Sequence, residues 1–228
     1  MEKAQVGGID AGQCAQGGEM DGGIWNRVAG RPVASLVLAH GAGAPMDSPF
    51  MQGMAERLAA REVEVFRFEF AYMAARRVDG RKRPPNPQAD LLRQWRERLE
   101  QVRPQAAGPL AIGGKSMGGR MASLLADELQ PLALVCLGYP FHAAGKPDKP
   151  RVAHLETLRT PTLIVQGERD ALGDRQTVAG YRLSAAIDVH WLVAADHDLK
   201  PLKRSGHTHA EHLDACADAV AQFLRSRV

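Results

Sequence analysis

The sequence predicts a doubly wound α/β fold, a mostly parallel sheet with helices on both faces. Three observations lead there. Short apolar runs alternate with helical patterns through most of the 228 residues. The runs are apolar at nearly every position, as strands buried on both faces must be. Chemistry-bearing residues gather just past the ends of those runs, and the carboxyl ends of parallel strands are where such a sheet presents them. Right-handed crossovers between successive strands complete the architecture.

Taken in order, residues 1–23 are rich in Gly, Gln and Asp and read as a flexible leader ahead of a single domain over 24–228. Ile24 to Val28 reads as an edge strand. Val33 to Ala39 is a buried strand, followed by His40-Gly41-Ala42-Gly43-Ala44-Pro45. Phe50 to Ala60 places Met51, Met54, Ala55 and Leu58 on one helical face. Val63 to Phe70 alternates apolar and charged residues at strand period. Ala71 to Pro87 is too basic and too rich in proline for a regular element and is expected to be a long excursion. Gln88 to Val102 is a helix with Leu91, Leu92, Trp95, Leu99 and Val102 inward. Leu110 to Ile112 is a short strand, and Met117, Met121, Leu124, Leu125 and Leu129 recur at helical spacing after it. Leu132 to Leu137 is another strand, and Tyr139 to Pro150 a second loop excursion. Thr162 to Gln166 is a strand, Thr177 to Leu183 a helix, and Val189 to Val193 the last strand. Leu213, Cys216, Ala217, Val220 and Leu224 mark the closing helix.

Composition narrows the function classes. Net charge is +3, which gives no global case for nucleic-acid binding. The three cysteines, Cys14, Cys136 and Cys216, are too scattered for a disulfide framework or a metal cage. Cys136 and Cys216 sit in apolar patterns and read as small core residues. No cationic-then-apolar opening suggests secretion, and no apolar run approaches a membrane span, so the expected compartment is cytoplasmic.

The chemistry centres on Gly114-Lys115-Ser116-Met117-Gly118, between a strand and a helix. Strand, G-x-S-x-G, helix is the setting of a nucleophile elbow. The turn is sharp enough that side chains two residues before or after the serine would collide with backbone, so Gly114 and Gly118 fit. Gly-Lys-Ser also suggests a phosphate loop, but the spacing fails, because Pro109 stands where G-x-x-x-x-G-K-[ST] needs glycine.

A serine needs a base within hydrogen-bond reach and a third group to hold that base. Asp170 lies in Gly167-Glu168-Arg169-Asp170 after one strand, and His197 in Ala194-Ala195-Asp196-His197-Asp198 after another. Ser116, Asp170 and His197 thus follow the chain order nucleophile, acid, base. Glu168 and Asp174 are alternative acids, and Asp196 or Asp198 could compete for the imidazole. An oxyanion needs two donors: the backbone N–H of Met117, and one from the His40-Gly41-Ala42-Gly43 loop, assigned to Ala42. His40 reads as a structural residue of that loop.

These stretches resemble the α/β-hydrolase superfamily. They are most similar to the small dienelactone-hydrolase-like branch that includes the testis-expressed protein thirty and the hydrolase-like domain of the chromatin-associated NSL complex. The resemblance rests on His40 to Pro49, Phe68 to Met73, Gly113-Gly-Lys-Ser-Met-Gly-Gly-Arg120, Leu137 to His142, Gln166 to Asp170 and Asp196 to Lys200. It implies an α/β-hydrolase fold without a large cap domain, and the same triad. A dienelactone hydrolase proper would carry cysteine as nucleophile; Ser116 points instead to esterase-type chemistry.

The basic residues Arg76, Arg77, Arg81, Lys82 and Arg83, together with Lys200, Lys203 and Arg204, fall on loops at the same side of the sheet as the triad, and Lys115 adjoins the nucleophile. They form either an anion-selective rim for substrate or a solvated basic surface. Lys115, Arg76, Tyr139 and Lys200 are the candidate substrate-binding residues. Tyr139 and Phe141 line an acyl pocket or belong to the core. His207, His209 and His212 lack metal-ligand spacing and are expected to be exposed. The expected function is a serine hydrolase of the carboxylesterase type, acting on a small ester or thioester through an acyl-enzyme on Ser116 and favouring anionic substrates. No cofactor, metal, nucleic acid or membrane is expected, and the chain is read as a monomer or homodimer. The rival reading is a non-catalytic interaction module on the same fold.

Overall fold

The computed structural model describes residues 19–20 and 22–228. The strands are β1 Glu19–Met20, β2 Gly23–Asn26, β3 Ala34–Ala39, β4 Val63–Phe68, β5 Leu110–Lys115, β6 Leu134–Leu137, β7 His142–Ala143, β8 Lys146–Pro150, β9 Thr162–Gly167 and β10 Ile187–Leu192. The helices are α1 Pro49–Ala59, α2 Ala71–Asp79, α3 Gln88–Val102, α4 Met117–Ser123, α5 Ala126–Leu129, α6 Arg175–Ala179 and α7 His209–Arg225. Eight strands form one sheet in the order β1-β2-β4-β3-β5-β6-β9-β10, and β7 and β8 form a separate hairpin. From β4 to β10 across the sheet every pairing is parallel; β1 and β2 join antiparallel at one edge.

The alternation of side chains along these strands divides the interior into two cores. Val37, Phe66, Phe68, Ile112, Cys136 and Ile164 face the layer of α3 and α4, where Leu91, Trp95, Leu99 and Met121 meet them. Leu36, Leu38, Val65, Val135 and Val165 face α1 and α7, packing on Met51, Met54, Leu58, Cys216, Val220 and Leu224. Because both faces are covered, β3, β4 and β9 are buried at every position. The two charged residues within β4 find partners there, Glu64 in Arg27 and the Ser35 hydroxyl, and Arg67 in Met46 O and Asn26 Oδ1. Arg57 on α1 and Arg61 just past its end pair with Asp214 and Asp218 on α7 at 2.9 and 2.6 Å. Thr208 and Glu211 close a capping box that starts α7. Cys136 and Cys216 are buried and free.

Several elements depart from the sequence expectation. The leader predicted over 1–23 falls mostly on residues outside those described, but Glu19–Met20 pairs antiparallel with Gly23 and Ile24. Residues 71–79 are a helix, not part of an excursion. The prolines 84, 85 and 87 lie beyond its end, so they do not break it. Gly80 closes it in the left-handed conformation, at φ 72°. The Gln94 and Asn86 side chains accept from the backbone N–H groups of Ala71 and Tyr72, satisfying its first turn. The excursion after Tyr139 contains the β7–β8 hairpin, whose β8 residues are all exposed and therefore carry no apolar alternation. The helix predicted over 177–183 starts instead at Arg175, because the Asp174 side chain accepts from Thr177 N–H, and ends before Gly180. Among the described residues no helix is long and apolar enough to cross a membrane.

Trp95 is fully buried, edge-on to Phe68 with ring centroids 4.9 Å apart. Its indole N–H has no hydrogen-bond partner among the described residues. Trp95→Ala is expected to lower the unfolding free energy by about 3–5 kcal/mol in urea denaturation. Trp95→Phe should cost well under half of that, since it keeps an aromatic contact and removes the orphan donor.

Candidate active site

The site grows from the junction of β5 and α4. Ser116 sits between them at φ 51°, ψ −117°, a conformation that side chains rarely adopt. Its N–H donates to Leu137 O at 3.0 Å, which fixes it to the next strand. The turn exists because two glycines let the backbones close up. A Cβ on Gly118 would lie 2.5 Å from Ala39 O and 2.6 Å from His40 O, and one on Gly114 2.5 Å from the backbone of Gly118 and Gly119. The first turn of α4 is therefore pressed against the end of β3, with its unpaired N–H groups beside Ser116.

His197 Nε2 lies 2.9 Å from Ser116 Oγ, and Nδ1 lies 2.7 Å from Asp170 Oδ2. With Nδ1–H donating to the carboxylate, neutral His197 presents Nε2 as acceptor for the serine hydroxyl. Asp170 is fully buried. It also accepts from Gln166 Nε2 and from Leu172 N–H, both at 2.8 Å, so its charge is compensated where water cannot reach. The competing carboxylates are occupied. Glu168 accepts from Ala194 N–H and pairs with Arg175. Asp174 caps α6. Asp196 accepts from the N–H groups of Asp198 and Lys200, shaping the histidine loop. Asp198 pairs with Lys115.

The loop after β3 faces the nucleophile across a cavity of about 380 Å³, lined by Gly41 to Ala44, Ser48, Phe50, Met51, Lys115, Ser116, His197 and Asp198. His40 beneath it is fully buried. Phe70 N–H donates to its Nε2 at 3.2 Å, so Nδ1 carries the proton and donates to Gly41 O at 2.6 Å. Burial holds His40 below the usual histidine range, consistent with that neutral tautomer. The Tyr72 hydroxyl donates to Ala42 O at 3.0 Å, and Arg76 Nη1 to Gly43 O at 3.2 Å. A trans peptide points its C=O and N–H opposite ways, so carbonyls drawn toward His40 and α2 turn the partner N–H groups of this loop away from them.

The predicted substrate-binding residues do not come together. Lys115 lines the cavity, but its ammonium donates to His197 O at 2.8 Å and lies 3.3 Å from Asp198 Oδ1. Arg76 is spent on the loop carbonyl. Lys200 is exposed and outside the cavity lining. Tyr139 is fully buried, with its hydroxyl on Arg151 O, and belongs to the core, as does Phe141. Arg77 is tied to Asp47 and Glu69, and Arg83 to Asp79. His212, expected to be exposed, is buried with Nδ1 3.2 Å from Leu199 O. Sequence reasoning missed Gln166, which orients the acid, and Tyr72, which holds the loop. Both lay in stretches singled out for resemblance, and neither has a motif of its own. Among the described residues no group of His, Cys, Asp and Glu is arranged to hold a metal ion.

Comparison with known proteins adds the family. Residues 32–225 match the family model of the alpha/beta hydrolase domain. Among solved structures, an alpha-beta serine hydrolase homologue from Coxiella burnetii is 15% identical, covering 96% of this chain and 100% of that one at TM-score 0.66. An a/b serine hydrolase without lid from Xanthomonas campestris is 18% identical, covering 91% and 95% at TM-score 0.69. A dienelactone hydrolase from Anabaena variabilis is 19% identical, covering 88% and 89% at TM-score 0.66. At these identities the likeness is one of fold.

Behind the elbow helix, His154 Nε2 lies 2.8 Å from Ser123 Oγ on α4. Burial, helped by Arg120, pulls its pKa down to about 4, and burial lowers His40 and His212 as well. Unfolded histidine takes its proton near pH 6.5, before the folded protein does, so acid favours the unfolded chain. Thermal stability is expected to be full above pH 6.5 and to fall as pH drops from there toward about 4. His154→Gln keeps a polar partner for Ser123 and should flatten that dependence; an unchanged slope would refute the assignment.

Proposed function

The chain belongs to the alpha/beta hydrolase family, and from that premise we propose that it is a serine hydrolase of the carboxylesterase type, cleaving a small ester or thioester. One observation carries the reading: a continuous relay from buried Asp170 through His197 to Ser116, at 2.7 and 2.9 Å, ending on a serine in a strained turn. His197 takes the hydroxyl proton as Ser116 Oγ attacks the carbonyl carbon. Asp170 holds the imidazole in the required tautomer and stabilises its charge. The oxyanion rests on the N–H groups of Met117 and Ala42, each worth ~10²–10³ in rate. His197 then protonates the leaving group, and water activated by the same ring releases the acyl group and restores Ser116.

The open cavity and the fold shared with a lid-free hydrolase support a small acyl group. We further place the chain in the dienelactone-hydrolase-like branch with the testis-expressed protein thirty, on the strength of the Gly113 to Arg120 stretch. The anion preference expected from the basic rim is left to Arg76, which keeps its charge while donating to Gly43 O, and to Lys200, which lies outside the cavity lining, because Asp198 pairs with Lys115.

Labelling by a fluorophosphonate probe is expected at Ser116 and should disappear in Ser116→Ala and His197→Ala. Asp170→Asn should lower kcat by ~10⁴ with the fold intact. Absence of labelling in folded wild type would replace this reading with the non-catalytic interaction module. Matched neutral and carboxylate-bearing esters, tested on Arg76→Ala and Lys200→Ala, decide the anion preference; equal ratios in all three proteins would remove it.

A further inference from the structure

Lys115 immediately precedes the nucleophile, yet its side chain reaches the base. Its ammonium donates to the backbone carbonyl of His197, across 82 residues of sequence, at 2.8 Å. Asp198 Oδ1 lies 3.3 Å away, and the Phe50 ring of α1 is 5.4 Å from the ammonium. Gly138, past the end of β6, leaves the space: a Cβ there would lie 2.8 Å from His197 O and 3.2 Å from Lys115 Nζ. The Lys115 side chain is only 9% exposed, against 73% for Asp198. Two of the ammonium's three N–H donors are thus directed at the base loop. The histidine it holds lies in a loop outside any helix or strand, where Ala194 and Leu199 on either side take positive φ values of 54° and 60°.

We propose that Lys115 is a positioning residue: it ties the base loop to the nucleophile strand and holds the His197 ring in register with Ser116, and it does not bind substrate. This rests on the serine-hydrolase reading for its kinetic consequences, but not for its structural one. The ammonium is faced by His197, Asp196 and Asp198 of the base loop and by Asp170 after β9. Burial draws its pKa below that of an ordinary lysine, while Asp198, Asp170 and Asp196 oppose that shift.

The test compares wild type, Lys115→Met and Asp198→Asn. In Lys115→Met, kcat is expected to fall about 10- to 100-fold on neutral and carboxylate-bearing aryl esters alike, the size of a small misplacement of a reacting group. KM should change by less than about threefold, because ground-state binding is untouched. A loss confined to the carboxylate ester, seen in KM, would overturn the proposal and make Lys115 a substrate ligand. Asp198→Asn retains the buried lysine but removes its main opposing charge, so the alkaline fall of kcat should begin at lower pH than in wild type; an unmoved limb counts against the proposal. The low-field Nδ1 proton resonance of His197 supplies a readout free of turnover. It should broaden or vanish in folded Lys115→Met, and its persistence at the wild-type position would refute the positioning role even if no ester is hydrolysed.

Discussion

The arrangement depends on one close approach, the first turn of α4 against the carboxyl end of β3. Gly118 stands where any side chain would overlap the carbonyls of Ala39 and His40, and Gly114 stands opposite it. That contact does more than permit a tight turn. It sets the distance between Ser116, which follows β5, and the His40 to Ala44 loop, which follows β3, because both backbones are in van der Waals contact through it. Strain at Ser116 is sustained because the parallel strands on both sides leave the turn no room to relax.

Around this junction the charges are arranged by depth. Asp170 is fully buried and answered by an amide, a backbone N–H and the imidazole. Lys115 is nearly buried and answered by a carbonyl and Asp198. His40 is buried and neutral, so it spends its two ring nitrogens on backbone groups of different loops. Each buried polar group thus fixes a piece of irregular chain that the sheet alone would not order.

Most central strands were legible because burial on both sheet faces favours apolar residues at nearly every position, β4 was legible from its period-two alternation, and the elbow because the glycine spacing around Ser116 answers a steric demand visible in one dimension. Asp170 and His197 were legible from their place past strand ends, with Asp170 preferred over Glu168 and Asp174, but what fixes that choice was not. It is decided by hydrogen bonds to Arg175, Ala194 and Thr177 that no local pattern announces. Helix α2 was hidden because only Tyr72 and Met73 of its nine residues are buried, too few for a period, and because its caps come from Asn86 and Gln94 farther along the chain. Tyr139 and Lys115 share a lesson about what sequence position conveys. Proximity in sequence to a strand end or a nucleophile says where a residue begins, while function follows from where its polar tip finishes: on Arg151 O for one, on His197 O for the other.

The order of the site along the chain has a consequence for its biosynthesis. Ser116 and the His40 to Ala44 loop follow β5 and β3, strands that pair with one another, whereas Asp170 and His197 follow β9 and β10, more than fifty residues later in the chain. A growing chain emerging from the ribosome therefore contains every residue of the elbow before the imidazole that meets Ser116 has been synthesised. The relay from Asp170 through His197 to Ser116 can close only after β10 has paired beside β9, so the geometry of the site is completed by the last third of the polypeptide.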